Sequence, residues 1–178
     1  MQRLLRRLAI SIVVLIGCIC LATLVFDILM VRPVVLHIER TLSEAKPSER
    51  KPPKIVTDMV RKAYGSRLIY AVIRNALSAS NQVKEMKTMH RQLTEFCVGI
   101  LLPLHLSDAE IESFYISTAY IGNRIYGFSL ASEHYFGTPL ERISMIQAAR
   151  LLAITHAPSA YLANPEGLER RVQYLLSL

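Results

Sequence analysis

The first hydrophobic segment of the chain runs from Leu8 to Phe26 without a charged residue. Its length is close to the ~20 apolar residues that a helix needs to cross the hydrocarbon core of a bilayer, and it exceeds the apolar region of a signal peptide. Arg3, Arg6 and Arg7 immediately precede it, and such a basic cluster stays in the cytoplasm. The pattern therefore predicts a single membrane-spanning helix with the rest of the chain outside the cytoplasm.

An alternative for the same segment is a lipoprotein processing site. The sequence Leu15-Ile16-Gly17-Cys18 has the form of a site at which a bacterial lipoprotein is cleaved before Cys18 and lipidated. The apolar run continues to Phe26, whereas a processed lipoprotein normally turns polar after the cysteine. The membrane helix is therefore the favoured interpretation, and both alternatives place the N-terminal end of the chain at a membrane.

Beyond this segment, the hydrophobic pattern is helical. Residues 46–53 are charged, Pro-rich and without periodicity, which is typical of a linker. After them apolar residues recur at helical spacing, and Ser107, Thr138, Ser144 and Asn164 stand where helices are expected to begin. No segment alternates with a period of two for long enough to predict a strand. We therefore predict an all-α domain with short connections.

The same periodicity predicts the core of this domain and the division of the chain. The side chains expected to be buried are Phe96, Ile100, Ile111, Tyr115, Phe136, Leu151 and Leu152. The predicted parts are a cytoplasmic basic segment (1–7), a transmembrane anchor (8–31), a juxtamembrane segment and linker (32–54), and a helical domain (55–178).

Charge and cysteine content narrow the choice of partners. A net charge of +7 favours an anionic partner. Because the first helix already places the chain at a membrane, we expect anionic lipid and no nucleic acid. Cys97 is the only cysteine of the domain, so it forms no intrachain disulfide there. No spacing resembles a metal-ligand cluster, a Cys/His nucleophile or a dinucleotide loop, so we expect neither a metal site nor an organic cofactor.

Three motifs in the second half of the chain resemble those of glycosyltransferase family 51. The sequence RQLTE at 91–95 stands where that family has R-K-x-x-E, and YISTAYIG at 115–122 stands where it has Y-x-N-x-x-Y-x-G. The sequence GFSLASEHYFG at 127–137 stands where it has G-[FI]-x-x-A-[AS]-x-x-Y-F-G. Members are membrane-anchored peptidoglycan transglycosylases, found alone or as domains of bifunctional penicillin-binding proteins. The resemblance implies a lysozyme-like helical lobe, here truncated.

The resemblance also implies a chemistry. In the family, a sugar hydroxyl attacks the anomeric carbon of a lipid-linked glycan and lipid pyrophosphate leaves, which requires a general base and cations at the leaving group. By resemblance, Glu95 is the second catalytic acid, and Arg91, Lys84 and Lys87 are candidates for binding pyrophosphate. Ser117 occupies the position of the family's Asn and is a candidate for substrate binding. The resemblance allows a divalent cation at the pyrophosphate.

Two motifs of the family are absent, E-D-x-x-F with its first catalytic acid and G-x-S-T-x-x-Q-Q, which shapes the site between the two acids. Neither E-D-x-x-F nor G-x-S-T-x-x-Q-Q occurs in the chain, and Gln92 replaces the Lys of R-K-x-x-E. A loose alignment places the general base near Thr57, where the neighbouring Asp58 is the candidate substitute. Without the resemblance, these residues have simpler explanations. Arg91 and Glu95 are four positions apart, the spacing of an ion pair on a helix surface. Asp58 follows the predicted linker and can be a solvated surface acid.

We therefore expect a peptidoglycan glycosyltransferase-like protein, anchored in the bacterial cytoplasmic membrane and catalytically degenerate. Its expected ligand is lipid-linked disaccharide-pentapeptide, and other cell-wall synthesis proteins are possible partners. The alternative is a non-catalytic, membrane-tethered helical binding or scaffold protein of the cell envelope, because a shared fold does not require a shared function.

Overall fold

The computed structural model describes residues 2–79 and 88–178, with side chains from Arg6 onward. The α-helices of these residues are α1 (Gln2–Phe26), α2 (Arg32–Glu44), α3 (Pro47–Arg50), α4 (Lys54–Tyr64), α5 (Leu68–Ala79), α6 (Thr88–Leu101), α7 (Asp108–Thr118), α8 (Phe128–Phe136), α9 (Met145–His156), α10 (Pro158–Ala163) and α11 (Pro165–Leu176). A π-helical turn (Asp27–Val31) joins α1 to α2, and 3-10 turns lie at Gly65–Arg67, Leu102–Leu104 and Leu140–Arg142. These residues contain no β-strand, which confirms the all-α prediction.

The N-terminal helical segment has two different environments. Within the described part of the chain, Arg6–Glu44 is the one helical stretch that is long and apolar enough to cross a membrane, and its most apolar part is not buried in the fold. Beyond Asp27 the same segment enters the core, where Val31, Val34 and Ile38 are buried and α2 packs against α5 and α7. His105 Nε2 lies 2.7 Å from Asp27 Oδ1 at this change of environment.

The stretch 46–53, interpreted above as a linker, is folded and packed against the domain. It contains α3, whose Glu49 is only 6% exposed because its carboxylate caps the first turn of α8. The Ser129 amide donates to Glu49 Oε1 at 2.9 Å, and the hydroxyls of Ser48 and Ser129 are 2.8 Å apart. Burial raises the pKa of Glu49 above its ordinary value, against the opposing effect of the Ser129 hydrogen bonds. Composition alone gave no sign of this contact.

Three of the four predicted helix starts are confirmed. Ser107 and Ser144 each form a complete capping box with Glu110 and Gln147, in which the serine hydroxyl accepts from the amide three residues later. Asn164 accepts a hydrogen bond from the Gly167 amide at the start of α11. Each start depends on a side chain and a backbone amide only three residues apart, so the local sequence is enough to specify it.

The predicted helix start at Thr138 is wrong. Only one 3-10 turn, Leu140–Arg142, follows it, and Ile143 is extended before α9 begins. The Thr138 hydroxyl donates backward to the Phe136 carbonyl at 3.1 Å, so it does not cap a helix in front of it. Ser144 provides the stronger cap a few residues later, and the helix begins there.

The predicted core is confirmed only for the second half of the domain. Ile111, Tyr115, Leu151 and Leu152 are buried, and Phe136 is partly buried against the core. The prediction for α6 is wrong, because Phe96 and Ile100 are 54% and 59% exposed. The buried face of α6 consists of Glu95 and Val98, with Leu102 following. The apolar stripe of α6 therefore faces away from the domain.

Candidate functional site

The Arg91–Glu95 pair is formed as its spacing predicts, on the first turns of α6. Arg91 Nε lies 3.2 Å from Glu95 Oε1, and the two side chains are 49% and 11% exposed. The Glu95 carboxylate therefore has little contact with water and lies against a charged partner. The pair is thus more than a solvated surface bridge, because one of its two members belongs to the buried face of the helix.

The basic surface predicted beside this pair is only partly described. Lys84 and Lys87 lie outside the described residues, so their candidate role in binding pyrophosphate stays a prediction. His90 is exposed at the start of α6, one residue before Arg91. Arg91 is therefore the described cation that stands closest to Glu95.

Asp58 lies on α4, and its neighbouring residues differ from those of Glu95. It lines a cavity of about 380 Å³ with Lys54, Lys62 and apolar residues from α9 and α11, and Glu95 does not line that cavity. Two acids that act on one glycosidic bond must face the same substrate. In the structure, Asp58 shares its cavity with two basic side chains, and neither Arg91 nor Glu95 lines that cavity.

Ser117 lies in the last turn of α7, where its hydroxyl is engaged within the helix. Ser117 Oγ donates to the Phe114 carbonyl at 3.0 Å, and the side chain is half-buried. Its neighbour Thr118 donates to the same carbonyl at 2.7 Å and accepts from Asn75 Nδ2 at 3.2 Å. The hydrogen bond between α5 and the end of α7 is therefore made by Thr118. The Ser117 hydroxyl already donates its hydrogen within α7, so it can only accept a hydrogen bond from a ligand.

A second ion pair, which the sequence did not indicate, joins α4 to α7. Arg61 donates from Nε and Nη2 to Glu112 Oε1 at 2.9 and 2.8 Å. The Glu112 side chain is 6% exposed, and its hydrogen bond and charge raise the pKa of Arg61. Removing either member would leave a buried or half-paired charge, so this contact fixes α4 against α7.

Hydroxyls of the buried Tyr115 and the half-buried Tyr64 and Thr155 connect α4, α7 and α9. Tyr64 and Tyr115 hydroxyls are 2.9 Å apart, and Tyr115 donates to Thr155 Oγ1 at 2.9 Å. Burial raises the pKa of Tyr115 well above its ordinary value. Tyr115 therefore stays protonated at neutral pH and serves as a donor, not as a base.

Metal binding has little support in the described residues. Residues 2–79 and 88–178 contain no group of three or more His, Cys, Asp or Glu side chains that could hold a metal ion. A divalent cation at a bound pyrophosphate could still take ligands from the phosphate oxygens, so that expectation rests on the family resemblance alone.

The fold and these residues define an all-helical domain behind an apolar N-terminal helix. A family model described as "Transglycosylase" matches residues 56–178, from α4 through α11. Since the match covers more than half of the chain, the chain belongs to the transglycosylase family, as the three motifs predicted.

The relatives are much longer proteins. The chain is 33% identical to penicillin-binding protein 1A/1B of Bacillus subtilis (strain 168) over 117 residues, which are 64% of this chain and 12% of that protein. It is 30% identical to penicillin-binding protein 1A of Neisseria gonorrhoeae over 130 residues, 68% of this chain and 16% of that protein. Penicillin-binding protein 1A of Pseudomonas aeruginosa is 29% identical over 92 residues, 51% of this chain and 11% of that protein. The chain thus spans less than a fifth of the length of these relatives.

Proposed function

We propose that this protein is a membrane-anchored, peptidoglycan glycosyltransferase-like protein that binds lipid-linked disaccharide-pentapeptide and polymerises it poorly or not at all. Membership of the transglycosylase family supports the substrate class. The observation that carries the proposal is a difference between the two candidate acids, Glu95 and Asp58. Glu95 keeps its arginine partner on α6, whereas Asp58 lines a cavity together with two lysines and without Glu95.

Binding without polymerisation is chemically consistent with this arrangement. Arg91 is half-exposed, so part of its guanidinium remains free to donate to phosphate oxygens, for which its planar fork is suited. The pyrophosphate of a lipid-linked precursor would add negative charge to a surface whose acid, Glu95, is already paired. Arg91 can therefore still attract the pyrophosphate leaving group, while no general base is in place to activate the attacking sugar hydroxyl.

The membrane anchor is supported by exposed apolar side chains on α1 and on α6. The side chains of α1 are exposed along its apolar length. On α6, Phe96 and Ile100 are exposed too, and Leu104 follows in the next turn at 77% exposure. The His105–Asp27 contact ties this end of α6 to the π-helical turn after α1. A bilayer around α1 would thus also cover the outward stripe of α6, which accounts for apolar side chains that the domain core leaves exposed.

The predicted orientation places everything after α1 outside the cytoplasm. A reporter enzyme that works only after export, fused after Leu178, is expected to be active in a bacterial host. A reporter that works only in the cytoplasm is expected to be inactive at the same position, because Arg3, Arg6 and Arg7 retain the N-terminus inside. Activity of the cytoplasmic reporter alone would contradict the orientation.

Binding of the precursor is expected to depend on Arg91. We expect retention of a labelled lipid-linked precursor by the purified protein in detergent, and about tenfold weaker retention by Arg91→Ala, since a charge-assisted hydrogen bond contributes roughly 1.5–3 kcal/mol. Arg40→Ala is the matched control, because Arg40 and Glu44 form another i,i+4 pair at 3.4 Å that is exposed on both sides. Equal losses in both variants, or none in Arg91→Ala, would argue against this binding site.

A further inference from the structure

A cavity of about 500 Å³ opens between α4, α5, α9 and α11, and no sequence motif indicated it. We call it the basic pocket. Its lining contains three arginines and one histidine, Arg67, Arg74, Arg171 and His156, and no acidic residue. The four come from the 3-10 turn before α5, from α5 itself, from α11 and from the end of α9, so the fold alone brings them together.

The positive charge of the basic pocket is not compensated by the described part of the chain. Ion pairs between described residues involve Arg40, Lys46, Arg61, Arg91 and Arg150, and none of the three pocket arginines is among them. The Nε of Arg171 is buried and has no hydrogen-bond partner in the described residues. This nitrogen is shielded from solvent, so the donors that Arg171 can offer to a ligand in the cavity are those of its two terminal nitrogens.

The guanidinium of Arg171 contacts an aromatic ring of its own helix. Its guanidinium carbon lies 4.9 Å from the ring centroid of Tyr174, one turn further along α11, which holds the group by a cation–π contact. Tyr64 and Tyr70 line the same cavity. The cavity thus combines basic side chains without an acidic partner and three tyrosines, a lining suited to an anionic group.

From this geometry we propose that the basic pocket binds a phosphate or diphosphate group. Arginine forks match phosphate oxygens in two parallel hydrogen bonds, and the volume lies in the range of small-molecule sites. A neighbouring cavity of about 360 Å³ shares Tyr64, Ala71 and Arg74 with it and adds Asn75 and Ser78. The neighbour can hold the polar group esterified to the phosphate. This site involves neither Arg91 nor Glu95, so it goes beyond the function proposed above.

The direct test is calorimetric titration of the full-length protein in neutral detergent with inorganic pyrophosphate. We expect saturable binding with one site per chain, weakened at least tenfold in Arg67→Gln/Arg171→Gln. The matched control is Arg142→Gln/Arg170→Gln, which removes the same charge from two exposed arginines outside the pocket lining. That control is expected to change the affinity less than twofold.

Two further measurements keep the test decisive. Arg67→Gln alone leaves the Arg171–Tyr174 contact intact, so a loss of binding in that variant cannot be attributed to disturbed packing of α11. Thermal unfolding of each variant identifies any that fails to fold. Absence of saturable pyrophosphate binding in the unmodified protein would overturn the proposal, as would equal weakening in the control pair, which would mean attraction by net charge alone.

The source of the phosphate group is distinguished by the membrane used. The titration is repeated in lipid nanodiscs of phosphatidylcholine, with and without phosphatidylglycerol. If the pocket takes a phospholipid headgroup, phosphatidylglycerol competes and weakens pyrophosphate binding in the unmodified protein. If it takes a soluble or glycan-linked diphosphate, the affinity is unchanged. Precursor retention measured through Arg91 is a separate result, so failure of one proposal does not determine the other.

Discussion

Supplied with lipid-linked disaccharide-pentapeptide in detergent, the purified protein is expected to extend glycan chains at least ~100-fold more slowly than an intact member of the family. General-base assistance typically contributes about 10²–10⁴-fold to such a reaction. The chain contains no E-D-x-x-F sequence, and we propose Asp58 as the acid nearest to the position of the family's base. The measurement is the length distribution of glycan products over time.

The position of Asp58 gives this expectation its structural basis. Its cavity is lined by Lys54 and Lys62, and Glu95 is not among the lining residues. Displacement of a catalytic group by ~1 Å can reduce a rate about 100-fold. Glu95 does not replace it, because that carboxylate is held by Arg91 and is 11% exposed.

Two variants test whether Glu95 or Asp58 contributes to any glycan polymerisation that the protein shows. Glu95→Gln removes the remaining family acid and keeps its shape, and Asp58→Asn does the same on α4. We expect neither to lower an already minimal rate. Chain growth at the rate of an intact family member, abolished by Glu95→Gln, would mean that the catalytic centre is elsewhere than proposed. Growth abolished by Asp58→Asn would instead identify Asp58 as a working base.

The parts of the fold that the sequence predicts correctly are those determined by local contacts. The caps at Ser107, Ser144 and Asn164 each require one side chain and one amide three residues away. The pair Arg91–Glu95 is likewise one helical turn apart. Such contacts form whenever the helix forms, so a sequence pattern is sufficient to predict them.

The errors concern contacts between distant segments. The apolar stripe with Phe96 and Ile100 has the same helical period whether it faces a core or a membrane, and periodicity does not distinguish the two. Glu49 is in a charged, Pro-rich stretch, yet it packs against Ser129, eighty positions later in the chain. Only the fold reveals that a carboxylate is needed there.

Contacts between distant segments also determine which charged residues of the candidate sites lie together, and the sequence does not predict them. Arg67 and Arg171 of the basic pocket are more than a hundred positions apart, and Arg61 meets Glu112 across 51 positions. No motif links them, since arginines on solvated helices are common. The strongest sequence signal lay in the family motifs, and these indicated the family correctly without indicating which charges the fold brings together.

The second large effect is expected from Gly127→Ala, which should lower the free energy of unfolding by about 3–5 kcal/mol. Gly127 has φ +82°, a conformation that side chains with a Cβ rarely adopt. A Cβ there would lie 2.6 Å from Glu49 Oε1 and 2.8 Å from the Ser117 carbonyl. The substitution would therefore strain the backbone, displace the cap of α8 and push against the end of α7. Thermal unfolding followed by circular dichroism is expected to show a fall in Tm on the order of 10 °C.

Gly137→Ala is the matched control, because it shares the positive φ but not the crowding. Its φ is +62°, and no atom lies within 4 Å of the added Cβ, so only the left-handed backbone penalty of about 1 kcal/mol remains. The difference between the two variants measures the close approach of Glu49 and Ser117. In a Glu49→Ala background one of these two contacts is gone, so Gly127→Ala should be less destabilising there than in the unmodified protein. Equal losses at Gly127 and Gly137, unaffected by Glu49→Ala, would show that α3 does not press against this loop in solution.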